Sequence, residues 1–110
     1  MTDRELIEAA AKAAGIVTHG CYVMPAPEIG AYAVWNPLDD DGDAFRLAVQ
    51  LGMDIMHRRS DPEVWAQVSM MPTICEPAGE DRYAATRRAI VRAAAALGAR
   101  YDAGCCGDAG

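Results

Sequence analysis

The sequence predicts an α+β fold in which three helices pack against a small antiparallel sheet of about four to five strands arranged in two hairpins. Three segments carry apolar residues at helical spacing, the segments between them alternate apolar and polar residues, and Gly and Pro separate the two kinds. A chain of 110 residues has the size of one domain. We expect a single domain over residues 1–101, with the element order α-β-β-α-β-β-(β)-α, and a disordered Gly, Ala and Cys tail over 102–110.

The first helix is indicated by a capping box and an apolar stripe. Thr2 is followed three residues later by Glu5, the spacing at which both side chains accept hydrogen bonds from backbone N–H groups at a helix start. Apolar residues then recur on one face, at Leu6, Ile7, Ala10, Ala11 and Ala14. Gly15 is the expected end of this helix.

A β-hairpin is expected next. Cys21–Met24 alternates in polarity and should form a strand that stops at Pro25, because proline cannot donate to a strand ladder. Ala31–Trp35 should form the second strand, with the Pro- and Gly-rich residues 25–30 as the turn. Trp35, at the end of its strand, is expected in the core.

The second helix begins in an acidic run and ends at Gly52. Its apolar face is formed by Ala44, Leu47, Ala48 and Leu51. The acidic residues are Asp39, Asp40, Asp41 and Asp43, a cluster that could bind calcium or cap the helix. Counting from Asp39 as an EF-hand loop places Gln50 where a bidentate Glu is required, so the spacing favours capping.

A second hairpin follows from strict alternation. Met53, Ile55 and His57 alternate with polar residues, and so do Val64, Ala66, Val68 and Met70. A helix from Pro62 to about Met70 is the alternative, because Asp61, Pro62 and Glu63 form a good helix start. The alternation favours the strand. A last short strand is expected at 73–76, between two prolines.

The third helix starts at Asp81 as its cap and is expected to end at Gly98. Its apolar face is predicted at Tyr83, Ile90, Val91, Ala94 and Leu97. The same helix carries four of the ten basic residues, Arg82, Arg87, Arg88 and Arg92. Arg88 and Arg92 lie one turn apart and could bind a phosphate or carboxylate together; the alternative is a solvated face whose arginines pair with acidic residues elsewhere.

Composition and charge exclude several classes of function. Ten basic against sixteen acidic residues give a net charge of −6, which makes nucleic acid an improbable partner. No run of eighteen apolar residues and no signal peptide is present, so we expect a cytoplasmic protein with no membrane partner. The cysteines do not form a C-x-x-C pair and are interpreted as thiols. His19 and Cys21 are the nearest candidates for a zinc site, and no metal or other cofactor is expected.

Catalytic patterns are scarce, whereas residues suited to an interface are present. Only two histidines occur, and the nucleophile-elbow, phosphate-binding and dinucleotide-binding motifs are absent, so an enzyme is not the preferred interpretation. Trp65 falls on the polar phase of its strand and should face solvent or a partner. With Met70 and Met71 it forms the predicted protein–protein interface, which could also support a homodimer.

Four sequence segments resemble those of small phage and prophage proteins of unknown function. They are Thr2-Asp3-Arg4-Glu5-Leu6, Trp35-Asn36-Pro37-Leu38, Asp40-Asp41-Gly42-Asp43-Ala44, and the helical segment from Tyr83 to Val91. More distantly, the chain is similar to the phage NinX family. The resemblance implies expression inside a bacterium and carries over no catalytic or binding residue.

Together these features lead us to expect a non-enzymatic phage accessory protein that binds a host or phage protein, or itself. Two alternatives stay open at this point. One is a binder of a small phosphorylated ligand or nucleotide that uses the Arg-rich helix, and the other is a structural protein of the virion or of its assembly.

Overall fold

The computed structural model describes residues 2–15, 23–26, 31–57, 60, 62–68 and 70–108, and for 23–26, 31–34 and 101–108 it describes the backbone alone. The elements are α1 (Asp3–Ala14), β1 (Val23–Ala26), β2 (Ala31–Val34), α2 (Asp41–Gln50), β3 (Asp54–His57), β4 (Glu63–Gln67), β5 (Ile74–Pro77) and α3 (Arg82–Asp108). The α+β class is confirmed. No helix among the described residues is long and apolar enough to span a membrane.

The first helix forms as its local signals indicate. The Thr2 hydroxyl accepts from the Glu5 backbone N–H, and the Glu5 carboxylate accepts from the Thr2 backbone N–H at 3.0 Å. The hydrogen bond from the Thr2 backbone lowers the pKa of Glu5 below its ordinary value of 4.5, because it stabilises the charged form. Gly15 ends the helix with a left-handed backbone (φ 72°), a conformation that glycine adopts without strain.

The first hairpin forms, but its strand does not stop at Pro25. β1 and β2 pair antiparallel in a two-stranded ribbon, and Pro25 lies opposite Tyr32. Each strand of a two-stranded ribbon has one edge that is not paired. A proline is tolerated there, because no hydrogen bond is lost where its missing N–H would face that edge. The start of the predicted strand, at Cys21 and Tyr22, and most of the predicted turn lie outside the described residues.

The second sheet contains three antiparallel strands in the order β3-β4-β5. Met56 of β3 and Cys75 of β5 lie opposite Trp65 of the central strand. The strand prediction for this segment is confirmed over the helix alternative. The expectation of one sheet of four to five strands is not confirmed. The described strands β1 and β2 pair only with each other and do not join the three-stranded sheet.

The third helix is longer than predicted. Asp81 caps it, accepting from the Ala84 N–H at 3.1 Å, but the helix continues through Gly98 to Asp108. Gly98 is therefore not a cap. A Cβ at this position would lie 1.9 Å from the carbonyl oxygen of Ala9, so the glycine allows α1 to approach α3 closely.

The core lies on both sides of α3. One cluster joins α1, α2 and α3 around Ile7, Leu47 and Val91 and includes Trp35, which is buried as expected. The second joins α3 to the sheet around Val64, Val68 and Ala89. Because Val64, Ala66 and Val68 face α3, the intervening Trp65 lies on the opposite face of the sheet.

Candidate functional site

A groove of about 540 Å³ lies between α2, β3 and the first turns of α3. Binding pockets for small ligands or anchoring side chains span roughly 300 to 1,000 Å³. The residues that line this groove are Asp41, Ala44, Phe45, Ile55, His57, Arg82, Tyr83, Thr86, Arg87 and Ile90. The groove therefore combines apolar walls with a small number of polar groups.

Two aromatic side chains form exposed walls of the groove. Phe45 on α2 is 67% exposed and Tyr83 on α3 is 73% exposed. Tyr83 was expected on the buried face of its helix, and that expectation is wrong. It lies in the first turn of α3, before the helix reaches the core residues Ile90 and Val91. Large aromatic side chains left in solvent beside a groove are typical of a binding surface.

An arginine at the groove connects α3 to the start of α2. The Arg87 Nε donates to the carbonyl oxygen of Leu38 at 2.8 Å, and its Nη1 donates to the Asp41 carboxylate at 2.6 Å. The Arg87 side chain is largely buried, whereas that of Asp41 is exposed. Because two acceptors already hold this guanidinium, it offers little to an incoming anion.

A histidine and a threonine connect β3 to α3 at the groove. The Thr86 hydroxyl donates to the Arg82 carbonyl oxygen at 2.7 Å, and the His57 Nε2 lies 3.1 Å from the same hydroxyl oxygen. The hydroxyl has one proton, and when it donates this proton to the Arg82 carbonyl oxygen, the second contact is a hydrogen bond from the His57 Nε2–H to the hydroxyl oxygen. A hydroxyl that is activated for nucleophilic attack must instead donate its hydrogen bond to the imidazole nitrogen, which then accepts the proton.

Arg88 and Arg92, the predicted anion site, line a separate cleft of about 400 Å³ between α1, α3 and β5. The structure brings them to one cleft but pairs each with an acidic residue. The Arg88 Nη2 is 3.0 Å from the Asp3 carboxylate, and Arg92 forms an ion pair with Glu76. This arrangement matches the alternative to a phosphate site, in which the arginines pair with acidic residues.

Of the predicted interface residues, Trp65 and Met71 lie on opposite sides of the sheet. Trp65 is half-buried on the outer face of the sheet, opposite α3. Met71 packs against the cluster between the sheet and α3, and its Sδ lies 3.5 Å from the Arg100 Nη1. Met70 is 87% exposed and is not among the residues that line the groove.

The acidic run caps α2. The Asp40 side chain accepts from the Asp43 N–H at 2.7 Å, and the Asp43 carboxylate accepts from the Asn36 N–H and from Arg46. In the part of the chain that the structure describes, no three His, Cys, Asp or Glu residues form a metal-binding group. The zinc candidates His19 and Cys21 lie outside that part.

The groove was not predicted from the sequence, although the sequence indicates one of its walls, on α2. Phe45 lies outside the apolar stripe of Ala44, Leu47 and Ala48, and so does Val49 one turn later. A large aromatic residue on the polar side of an amphipathic helix indicates a contact outside the core.

Comparison of the chain with protein-family models, with curated proteins and with solved structures finds no match.

Proposed function

We propose that this protein is a non-enzymatic binding module that holds an apolar segment of a partner protein in the groove between α2, β3 and α3. The observation that carries the proposal is the exposure of Phe45 and Tyr83 at the two helical walls of one groove. Aromatic residues are enriched at protein interfaces, and tyrosine is among the residues that most often contribute a large share of the affinity.

Two polar side chains of the groove are already hydrogen-bonded within the protein, and this favours an apolar occupant. The Arg87 guanidinium and the Thr86 hydroxyl already donate to acceptors within the protein. An anionic or strongly polar ligand would have to replace those hydrogen bonds, which gives little net gain. Phe45, Ile55 and Tyr83 supply apolar surface that gains free energy when it leaves water.

The arrangement also supports a binding role over a catalytic one. In this arrangement the Thr86 hydroxyl donates its hydrogen bond to the Arg82 carbonyl oxygen and not to His57, so the imidazole does not act as a base for an activated nucleophile. The resemblance to phage proteins is consistent with a partner that is a host or phage protein in the bacterial cytoplasm, and with a role as an accessory or assembly protein.

Groove variants provide the test. Phe45→Ser and Tyr83→Ser should each reduce capture of the partner from bacterial lysate by about tenfold or more, because each removes an aromatic anchor. Both side chains are exposed, so the melting temperature should change by less than about 3 °C. Capture is measured by quantitative mass spectrometry of proteins retained on the immobilised chain, and stability by circular dichroism.

Met70→Ser is the matched control, since Met70 is an exposed apolar residue away from the groove lining. It should retain the partner at the wild-type level. Retention by both groove variants, or loss in Met70→Ser alone, would show that the binding surface lies elsewhere. Loss of capture in Trp65→Ala, with the groove variants unaffected, would place it on the outer face of the sheet.

A second candidate function, binding of a small phosphorylated ligand, is favoured by the presence of Arg88 and Arg92 in one cleft. In this case a nucleotide at a hundred times its Kd should stabilise the fold by about 2.7 kcal/mol. The Asp3 and Glu76 carboxylates would have to leave the arginines, so Glu76→Gln should raise the affinity. A set of nucleotides that leaves the melting temperature unchanged rules this function out.

A further inference from the structure

We infer that the groove's occupant is an extended segment of a partner protein that adds a strand to the free edge of β3. In this arrangement the segment's apolar side chains face the groove, and its alternating basic side chains lie on the other face of the extended sheet. The inference rests on the proposed function and names the conformation and chemistry of the partner.

The first support is the position of β3 in its sheet. Among the strands that the structure describes, β4 is paired on both sides, whereas β3 and β5 lie at the edges of the sheet. β5 contains Pro77 and follows Pro72, and proline discourages the addition of another strand at an edge. β3 contains no proline, and among the described strands it pairs only with β4. Its outer edge therefore presents backbone groups that an extended segment can pair with.

The second support is that the groove lies at the same edge. Ile55 and His57 of β3 line the groove, and Asp54 and Met56 alternate with them on the other face. A strand added beside β3 follows the same alternation. Every second side chain of that strand would enter the groove toward Phe45 and Tyr83, and the others would lie beside Met56, which is 47% exposed.

The third support is charge. On the outer face of the sheet, Asp54 is exposed on the edge strand β3, and Glu63 is exposed on β4 at the other end of the β3–β4 pair. A basic side chain of an added strand would lie beside Asp54, and the net charge of −6 strengthens its attraction. The same net charge opposes the edge-to-edge pairing of two copies of this chain, so the partner is a different, basic protein segment.

The probe is the synthetic peptide Ac-KVKVKVK-NH2, in which valine and lysine fall on opposite faces of a strand. Binding is measured by NMR titration and by amide hydrogen exchange of residues 54–57. We expect exchange to slow at least tenfold at the β3 amides that do not pair with β4. The same peptide with alternate backbone amides N-methylated should not slow it, because the methyl groups prevent pairing.

Two comparisons test the chemistry of the segment. A peptide with glutamate in place of lysine should bind at least about threefold more weakly than the lysine peptide, and Asp54→Lys should remove or reverse that difference. Asp54 is exposed at the start of its strand, so this variant should keep the wild-type fold. Tyr83→Ser should weaken both peptides.

Several results would overturn the inference. Binding of the lysine peptide in the groove without slower exchange in β3 contradicts strand addition and leaves the groove function intact. If the glutamate peptide binds to the wild-type protein as tightly as the lysine peptide, the partner segment is not basic. If the lysine peptide does not bind to the folded chain, both strand addition and a basic partner are contradicted. A dimer that protects β3 in the absence of peptide would identify a second copy as the occupant. Loss of the groove function is recognised separately, by unchanged partner capture in Phe45→Ser and Tyr83→Ser.

Discussion

Gly98→Ala should destabilise the protein by about 3 kcal/mol, although alanine is the better helix former by about 1 kcal/mol. The new Cβ would lie 1.9 Å from the Ala9 carbonyl oxygen and 2.8 Å from the Ala9 carbonyl carbon. Both atoms belong to backbone, which cannot rotate away as a side chain can. Relief requires α1 and α3 to separate, and that loosens the packing of Ala10, Ala94 and Ala95 between them.

The measurement is thermal and urea unfolding, in which Gly98→Ala should lower the melting temperature by more than about 10 °C. Gly42→Ala is the matched control, because the atoms nearest to a Cβ at Gly42 are the ends of the Asp40 and Arg46 side chains, at 3.1 Å or more. It should change stability by less than about 1 kcal/mol. If Gly98→Ala is as stable as wild type, α1 does not cross α3 at this glycine.

Asp43→Ala should destabilise the protein by about 2 to 3 kcal/mol. Asp43 is only 8% exposed, and its carboxylate accepts from the Asn36 N–H at 2.9 Å and from the Arg46 Nη2 at 2.7 Å. It therefore joins the turn after Trp35 to the first turn of α2. Alanine leaves the partly buried Asn36 N–H without this acceptor and removes a negative charge from the helix start.

Urea unfolding distinguishes this role from a general effect of charge. Asp39→Ala also removes one acidic residue near the helix start, but Asp39 is exposed and accepts only a side-chain hydrogen bond, from the Asn36 amide. Its loss should cost less than about 0.5 kcal/mol. Equal destabilisation by the two variants would mean that net charge, rather than the buried hydrogen bonds, accounts for the effect.

Elements defined by local signals could be predicted from the sequence. The capping box at Thr2 and the left-handed glycine at Gly15 bound α1, and they act through residues within one helical turn. The strand at β4 also follows from a local signal, since Val64, Ala66 and Val68 all face α3.

The features that were missed depend on contacts between elements distant in sequence. Glycine often ends a helix, so the sequence predicts an end at Gly98. Its role instead depends on contact with Ala9, which lies 89 positions earlier, and local periodicity does not reveal that contact. Tyr83 fits the apolar stripe of α3, yet the core begins further along that helix. The pairing of Arg88 with Asp3 and of Arg92 with Glu76 likewise depends on how α1 and β5 flank α3.

Photo-crosslinking can show whether a partner protein occupies the groove walled by Phe45 and Tyr83. A benzophenone side chain replaces Tyr83 and, for comparison, Met70. We expect a covalent adduct with the captured partner from position 83 and at most about a tenth of that yield from position 70. An adduct from position 70 with none from position 83 would mean that the partner does not bind in the groove.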